Sequence, residues 1–137
     1  MQRRPDMMIL CGIAGRYPAS ALVVGSEMCI RDRYDCPHIP ADAPLPVVAS
    51  NSVSGAASPH VDRSAAQIEN MEGAAFFDVC LREQIPFWEL RAISNTVGEP
   101  FGQWNIPLAT DALARAIGRL LQTAENTYRT ARPSDDT

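Results

Sequence analysis

IENMEGAAFFDVC, from Ile68 to Cys80, and IPFWELRAISN, from Ile85 to Asn95, decide how this chain is read. In the first stretch Ala75, Phe76, Val79 and Cys80 recur at helical spacing, which predicts a helix from about Met71 to Gln84. Pro86 follows and ends it, because the residue before a proline is pushed out of the helical region. Glu72 therefore heads a helix, where the macrodipole favours an exposed carboxylate by about 1 kcal/mol at most. Phe87 to Ile93 reads as a strand, with Glu89 and Arg91 on one face, placed to pair or to line a site. Arg91 is expected to serve as a buried ion-pair partner for Glu89 or Glu72, in a structural rather than a catalytic role. The strand gives way to Ser94 and Asn95, so an acidic helix head and a pair of polar side chains occupy the ends of adjacent elements.

On the N-terminal side, Met7 to Cys11 is a short apolar run, expected to be a strand closed by the glycine turn Gly12-Ile13-Ala14-Gly15. Pro46 to Val53 is a second strand, closed by Ser54-Gly55, and Gln67 to Asn70 is too short to assign. Tyr34 to Leu45 reads as loop. Beyond Pro107, the apolar positions Leu108, Ala109, Ala112, Leu113, Ala116, Ile117, Leu120 and Leu121 trace one face of a long helix, with Thr110 or Asp111 supplying first-turn polarity. The tail 128–137 is expected to be disordered. Strands alternating with helices predict an α/β architecture with a mixed, largely parallel sheet flanked by helices, whose ligands bind beyond the carboxyl ends of the strands.

Composition narrows the chemistry. The chain has 137 residues, enough for one domain with a core, and its net charge of −4 with no basic stripe argues against nucleic acid and anionic membranes as partners. All 12 basic residues are Arg, which removes Schiff-base and P-loop lysine chemistry from this chain. The four cysteines form no CxxC pair, and Cys36-Pro37-His38 is a weak cluster, so neither a disulfide framework nor a metal site is expected. The Arg3-Arg4 start followed by Met7 to Ala14 imitates a signal peptide, but Gly12, Gly15 and Arg16 cut the apolar run short. No run is long enough to cross a bilayer, and a cytoplasmic protein is the expectation. Trp88 and Trp104 read as core or interface residues.

One segment stands apart. Ser26 to Arg33, SEMCIRDR, resembles the translated end of a transposon-derived adapter used in preparing sequencing libraries. This divides the chain into four parts: 1–25 with the Gly12–Gly15 segment, an adapter-like 26–33, the main part 34–127, and the tail 128–137. The flanking parts are then two pieces of one gene rather than one continuous fold, and strands lost between them would leave open sheet edges prone to aggregation.

NMEGAAFFDVC with IPFWELRAISN resembles the nucleoside phosphorylase and nucleosidase superfamily and, within it, the futalosine hydrolases. GIAG at Gly12 to Gly15 and SVSG at Ser52 to Gly55 match two further family segments in order, and VGEPFGQWNI from Val97 to Ile106 is closer to futalosine hydrolases than to adenosine-type nucleosidases. The match covers Met8 to about Gly25 and most of Val47 to Gln122.

The resemblance implies an incomplete phosphorylase/hydrolase-like fold that hydrolyses the N-ribosidic bond of futalosine, releasing hypoxanthine in menaquinone biosynthesis, with no cofactor. It implies Glu72 on the ribose hydroxyls with Met71 packed against the sugar, Asn95 as the base reader supported by Ser94, and Ala14 and Gly15 bringing backbone close to the ribose and the nucleophile. Glu72 and Asn95 are the expected catalytic pair. Adenine-cleaving relatives carry Asp where this chain has Asn95, although an Asn can also pair with the adenine edge. Ile13 stands where many relatives have Ser, which counts against a phosphorylase. The family's water-activating acid lies on an N-terminal strand unit, and only eleven residues precede Gly12, so no general base is assignable and the chain itself is expected to be inactive. The resemblance also implies a homo-oligomer acting on a 6-oxopurine riboside. The alternatives are a methylthioadenosine/adenosylhomocysteine nucleosidase, a purine nucleoside phosphorylase, and a non-catalytic nucleoside-binding fragment.

Overall fold

The computed structural model describes residues 3–31, 45–55 and 58–131. Five strands and two helices follow one another as β1 (Met8–Arg16), β2 (Glu27–Arg31), β3 (Val47–Ser52), β4 (Ile68–Asn70), α1 (Gly73–Glu83), β5 (Phe87–Thr96) and α2 (Ile106–Ala131), with a 3₁₀ turn at Phe101–Gln103 before α2. The sheet is mixed and closes on itself in the order β1-β4-β3-β2-β5. β1 runs parallel to β5, β3 lies parallel to both β2 and β4, and the β1–β4 and β2–β5 pairs are antiparallel. Closure leaves none of these five strands at an open edge, contrary to the expectation of exposed edges, because each finds a hydrogen-bonding neighbour on both sides.

Period-two alternation explains the core. Ala14, Met28, Ile30, Val48, Ile68 and Ile93 come from all five strands and fill the interior of the closed sheet. The alternate residues Cys29, Trp88 and Leu90 pack outward against Leu45 and against Ala116 and Leu120 of α2, and Ala92 packs against Ala109 and Ala112. Phe87, Phe77 and Cys80 join α1 to the sheet, with the Phe77 and Phe87 rings 4.7 Å apart edge to face. β5 is thus buried on both faces, Glu89 and Arg91 included.

The structure corrects several expectations. Gly12 to Gly15 is not a turn: β1 continues through it to Arg16, paired with β5 along its whole length. Gly12 serves a neighbour instead, since a Cβ there would lie 2.3 Å from the Arg91 guanidinium. α1 spans Gly73–Glu83, starting two residues later than predicted, and is closed by Gln84 in the left-handed region (φ 55°), where the predicted helix ends. α2 begins earlier than predicted, and neither Thr110 nor Asp111 opens it; the Asn105 side-chain oxygen accepts the Leu108 N–H at 3.2 Å. α2 also reaches Ala131, so the first residues of the expected tail are helical.

The segment set apart in the sequence, as far as Arg31, is strand β2, with Met28, Cys29 and Ile30 fully buried. It joins the same sheet as its flanks, and Glu27 pairs with Arg119 of α2. The Cys36-Pro37-His38 cluster and nearly all of the expected loop lie outside the described residues. Among the described residues no group of three or more His, Cys, Asp or Glu side chains is gathered to hold a metal, and no helix is long and apolar enough to cross a membrane.

Candidate functional site

A cavity of about 460 Å³ opens where β1, β4 and β5 end and α1 begins. All six residues expected to bind substrate line it: Ala14, Gly15, Met71, Glu72, Ser94 and Asn95. They come from three separate parts of the chain, and sheet pairing brings them together.

Glu72 is the N-cap residue of α1, but its side chain does not cap the helix. Asn70 does so, accepting the Glu72 and Gly73 N–H groups on its Oδ1 at 3.0 and 2.7 Å. The Glu72 carboxylate is thereby left to Arg91, whose Nη1 lies 2.9 Å from Oε2. Glu72 is 57% exposed on its side chain and Arg91 2%, so a carboxylate open to the cavity is held from below by a buried cation. Arg91 also donates to the Ile13 carbonyl at 3.0 Å and to Glu89 Oε1 at 3.2 Å. The arginine assigned a structural pairing with Glu89 or Glu72 makes both pairings at once.

Asn95 is fixed by backbone geometry. Between Ala14 and Gly15 the β1–β5 register shifts, so Ser94 has no partner of its own while Asn95 pairs with Gly15. Such a bulge re-aims the side chains that follow it and is common beside active sites. Ser94 Oγ donates to Asn95 Oδ1 at 2.7 Å, and Asn95 Nδ2 donates to the Thr96 carbonyl at 3.1 Å. A Cβ on Gly15 would come within 3.2 Å of that amide, so the glycine is what lets Asn95 lie over the strand.

Sequence reasoning missed three contributors. Glu69 and Asn70 line the cavity from β4, and both are buried. Asn70 was findable as an Asx residue ahead of a helix. Glu69 carries no local signal, because its partner, the Tyr17 hydroxyl at 3.0 Å, is 52 residues away. The third is the turn after β5. Gly98 (φ 100°) reverses the chain, Glu99 Oε1 accepts the Thr96 N–H at 2.6 Å, and the Phe101 and Trp104 rings, 5.0 Å apart, face the cavity. Trp88 is core as expected, whereas Trp104 is half-buried at the site.

The fold is similar to that of solved nucleosidases. The fold is similar to 5′-methylthioadenosine nucleosidase of Arabidopsis thaliana (TM-score 0.68, 17% identity, covering 97% of this chain and 66% of that one). It is also similar to MTAN of Chlamydia trachomatis (TM-score 0.67, 19% identity, 86% and 66%), a protein also solved bound to adenine. Among curated proteins the chain is similar to futalosine hydrolase of Thermus thermophilus, 48% identical over 60 residues, which is 43% of this chain and 27% of that protein. The match thus spans about a quarter of the futalosine hydrolase, and the chain covers about two thirds of the nucleosidases. No protein-family model matches the chain.

Proposed function

We propose that this chain carries the sugar- and base-reading walls of a futalosine hydrolase-like nucleosidase. The intact protein hydrolyses the N-ribosidic bond of a 5′-modified inosine-like nucleoside and releases hypoxanthine in menaquinone biosynthesis. The observation that carries this reading is the convergence of Met71-Glu72, Ser94-Asn95 and Ala14-Gly15 on one cavity. Cleavage of such a bond passes through an oxocarbenium-like sugar, and hydrogen bonds to its hydroxyls that strengthen there supply several kcal/mol. Glu72, aimed by Arg91, accepts from those hydroxyls. The Asn95 amide donates to the purine O6/N7 edge as charge develops on the leaving base.

A methylthioadenosine/adenosylhomocysteine nucleosidase is the second reading, favoured by the likeness of fold to such enzymes. Asn95 weighs against it, because an amide can donate a hydrogen bond to N7 of adenine but cannot transfer a proton to it. Ile13 in the cavity wall weighs against a phosphorylase.

The chain alone is expected to bind without turnover. It covers about two thirds of the nucleosidases it resembles, and the water-activating acid expected ahead of Gly12 is not among the described residues lining the cavity. We read the protein as cytoplasmic and, when intact, as a homo-oligomer, and Ser26 to Arg33 as the adapter-like insertion its sequence resembles. Incubating the purified chain with futalosine should release no hypoxanthine, and release would overturn the inactivity. Amplifying the source DNA across the codons for Val24 to Tyr34 should give a longer product without SEMCIRDR. The protein restored from it should release hypoxanthine from futalosine without phosphate. Adenine release from methylthioadenosine instead would favour the second reading, and a product that keeps SEMCIRDR would favour a non-catalytic nucleoside-binding fragment.

A further inference from the structure

We propose that Asn70 and Ser52 are positioning residues for sugar recognition: they occupy the amide donors at the head of α1 and so keep the Glu72 carboxylate turned to the ligand. This rests on the nucleoside reading of the cavity. Ser52 and Asn70 are cross-strand partners in the β3–β4 pair, so their side chains project from the same face of the sheet. That face is the interior one, because Val48 and Ile68 lie on it by period-two alternation and fill the closed sheet. Both rows turn from apolar to polar toward α1. Ser52 Oγ accepts the Ala74 N–H at 2.8 Å, and Asn70 Oδ1 accepts those of Glu72 and Gly73. These belong to the four N–H groups that the start of a helix leaves without an intrahelical partner.

What these two residues hold decides what is left for Glu72. A carboxylate at the head of a helix is attracted to its N–H groups and to the positive end of its macrodipole. Bent back onto them, it would turn away from the cavity. Here Glu72 makes no capping bond, and its Oε2 takes the Arg91 guanidinium at 2.9 Å and the Met71 N–H at 3.2 Å. Asn70 acts on that guanidinium too, because its Oδ1 accepts from Arg91 Nη2 at 3.3 Å. One amide oxygen thus fixes both the backbone of Glu72 and the cation behind its carboxylate. The neighbours of Asn70 set which way its amide faces. Two backbone N–H groups require the oxygen on one side, and Nδ2 donates to Ser50 Oγ at 2.7 Å on the other. Asn70 and Ser50 are both buried, which makes any unmade bond costly.

The test is calorimetric titration of the full chain with inosine and with hypoxanthine, which differ only by the sugar. Asn70→Ala should weaken inosine binding at least roughly fivefold, within the range of one hydrogen bond, and hypoxanthine binding less than about twofold. Asn70→Asp keeps an oxygen facing the helix and should restore most of the inosine affinity. Ser52→Ala uncovers only the Ala74 N–H and should weaken inosine binding roughly threefold. In a chain that already carries Glu72→Gln, Asn70→Ala should lower inosine binding no further, because it acts through that carboxylate. Equal weakening of both ligands, or the same additional loss in the Glu72→Gln chain, would overturn the positioning role while leaving the nucleoside reading intact. Should Asn70→Ala fail to fold, Ser52→Ala decides, and an unchanged ratio of the two affinities would overturn the proposal. If the unsubstituted chain binds neither inosine nor hypoxanthine, the nucleoside reading itself falls, and this inference with it.

Discussion

Glu72 and Asn95 face the same cavity, yet charge holds one in place and backbone the other. Glu72 sits at an open helix head and depends on Arg91, a cation 78 residues from the Ile13 carbonyl that shares it. Asn95 is 4% exposed and is held by its neighbour Ser94 and by the Thr96 carbonyl, with its amide seated over Gly15. Under the proposed reading, a carboxylate that grips a changing sugar gains from a mobile tip with a fixed charge behind it, and an amide that reads one edge of a base gains from a single orientation.

The largest expected effect attacks the charged wall. Arg91→Ala removes the cation between Glu89 and Glu72 and leaves the fully buried Glu89 without it, a loss of roughly 3–5 kcal/mol for breaking a buried pair. Urea unfolding should show a midpoint shift that consumes much of the stability of a domain this size. A loss below about 1 kcal/mol would mean that the cluster is not what anchors Glu72.

Next comes the backbone-held wall. Gly15→Ala places a methyl within 3.0 Å of Val97 and 3.2 Å of the Asn95 amide, so the chain should fold with about 1–3 kcal/mol less stability. Calorimetry should show hypoxanthine binding reduced at least in proportion. Unchanged binding would mean that the amide need not lie over the glycine.

A smaller pair of effects sharpens the comparison. Glu72→Gln should change stability by less than about 1 kcal/mol, because the carboxylate is half-exposed and its pairing is screened by solvent. It should weaken inosine binding while leaving hypoxanthine binding intact. Asn95→Ala should weaken both ligands equally. If Glu72→Gln weakens the free base as much as the nucleoside, the two walls do not divide sugar from base.

The smallest effect is on pH dependence. Burial raises the Cys11 and Cys80 thiols and the Tyr17 phenol above their ordinary values. A group whose folded pKa is raised contributes stability below its unfolded pKa and loses it as pH rises through the folded one. Unfolding free energy should therefore hold to about pH 8 and then decline, first through the thiols and then through the phenol. Tyr17→Phe should remove only the upper part of that decline, and an identical profile would show that Tyr17 does not contribute.

Local pattern alone determined α1, β3, β5 and α2, because apolar residues spaced for a helix or a buried strand have few other ways to leave water. The six residues that converge on the cavity were legible too, through short motifs whose resemblance to nucleosidases needs no coordinates. Tertiary structure decided the rest. Gly12 to Gly15 reads locally as a turn and becomes strand because β5 pairs along it and the Arg91 guanidinium fills the space its first glycine leaves. Glu69 has no helical or strand signal that places it in the cavity wall, and only closure of the sheet brings Tyr17 to its carboxylate and Gly15 between it and Asn95. The division follows from range: periodicity and capping act over a few residues along the chain, whereas a site walled by three strands exists only once residues 50 to 80 positions apart have paired.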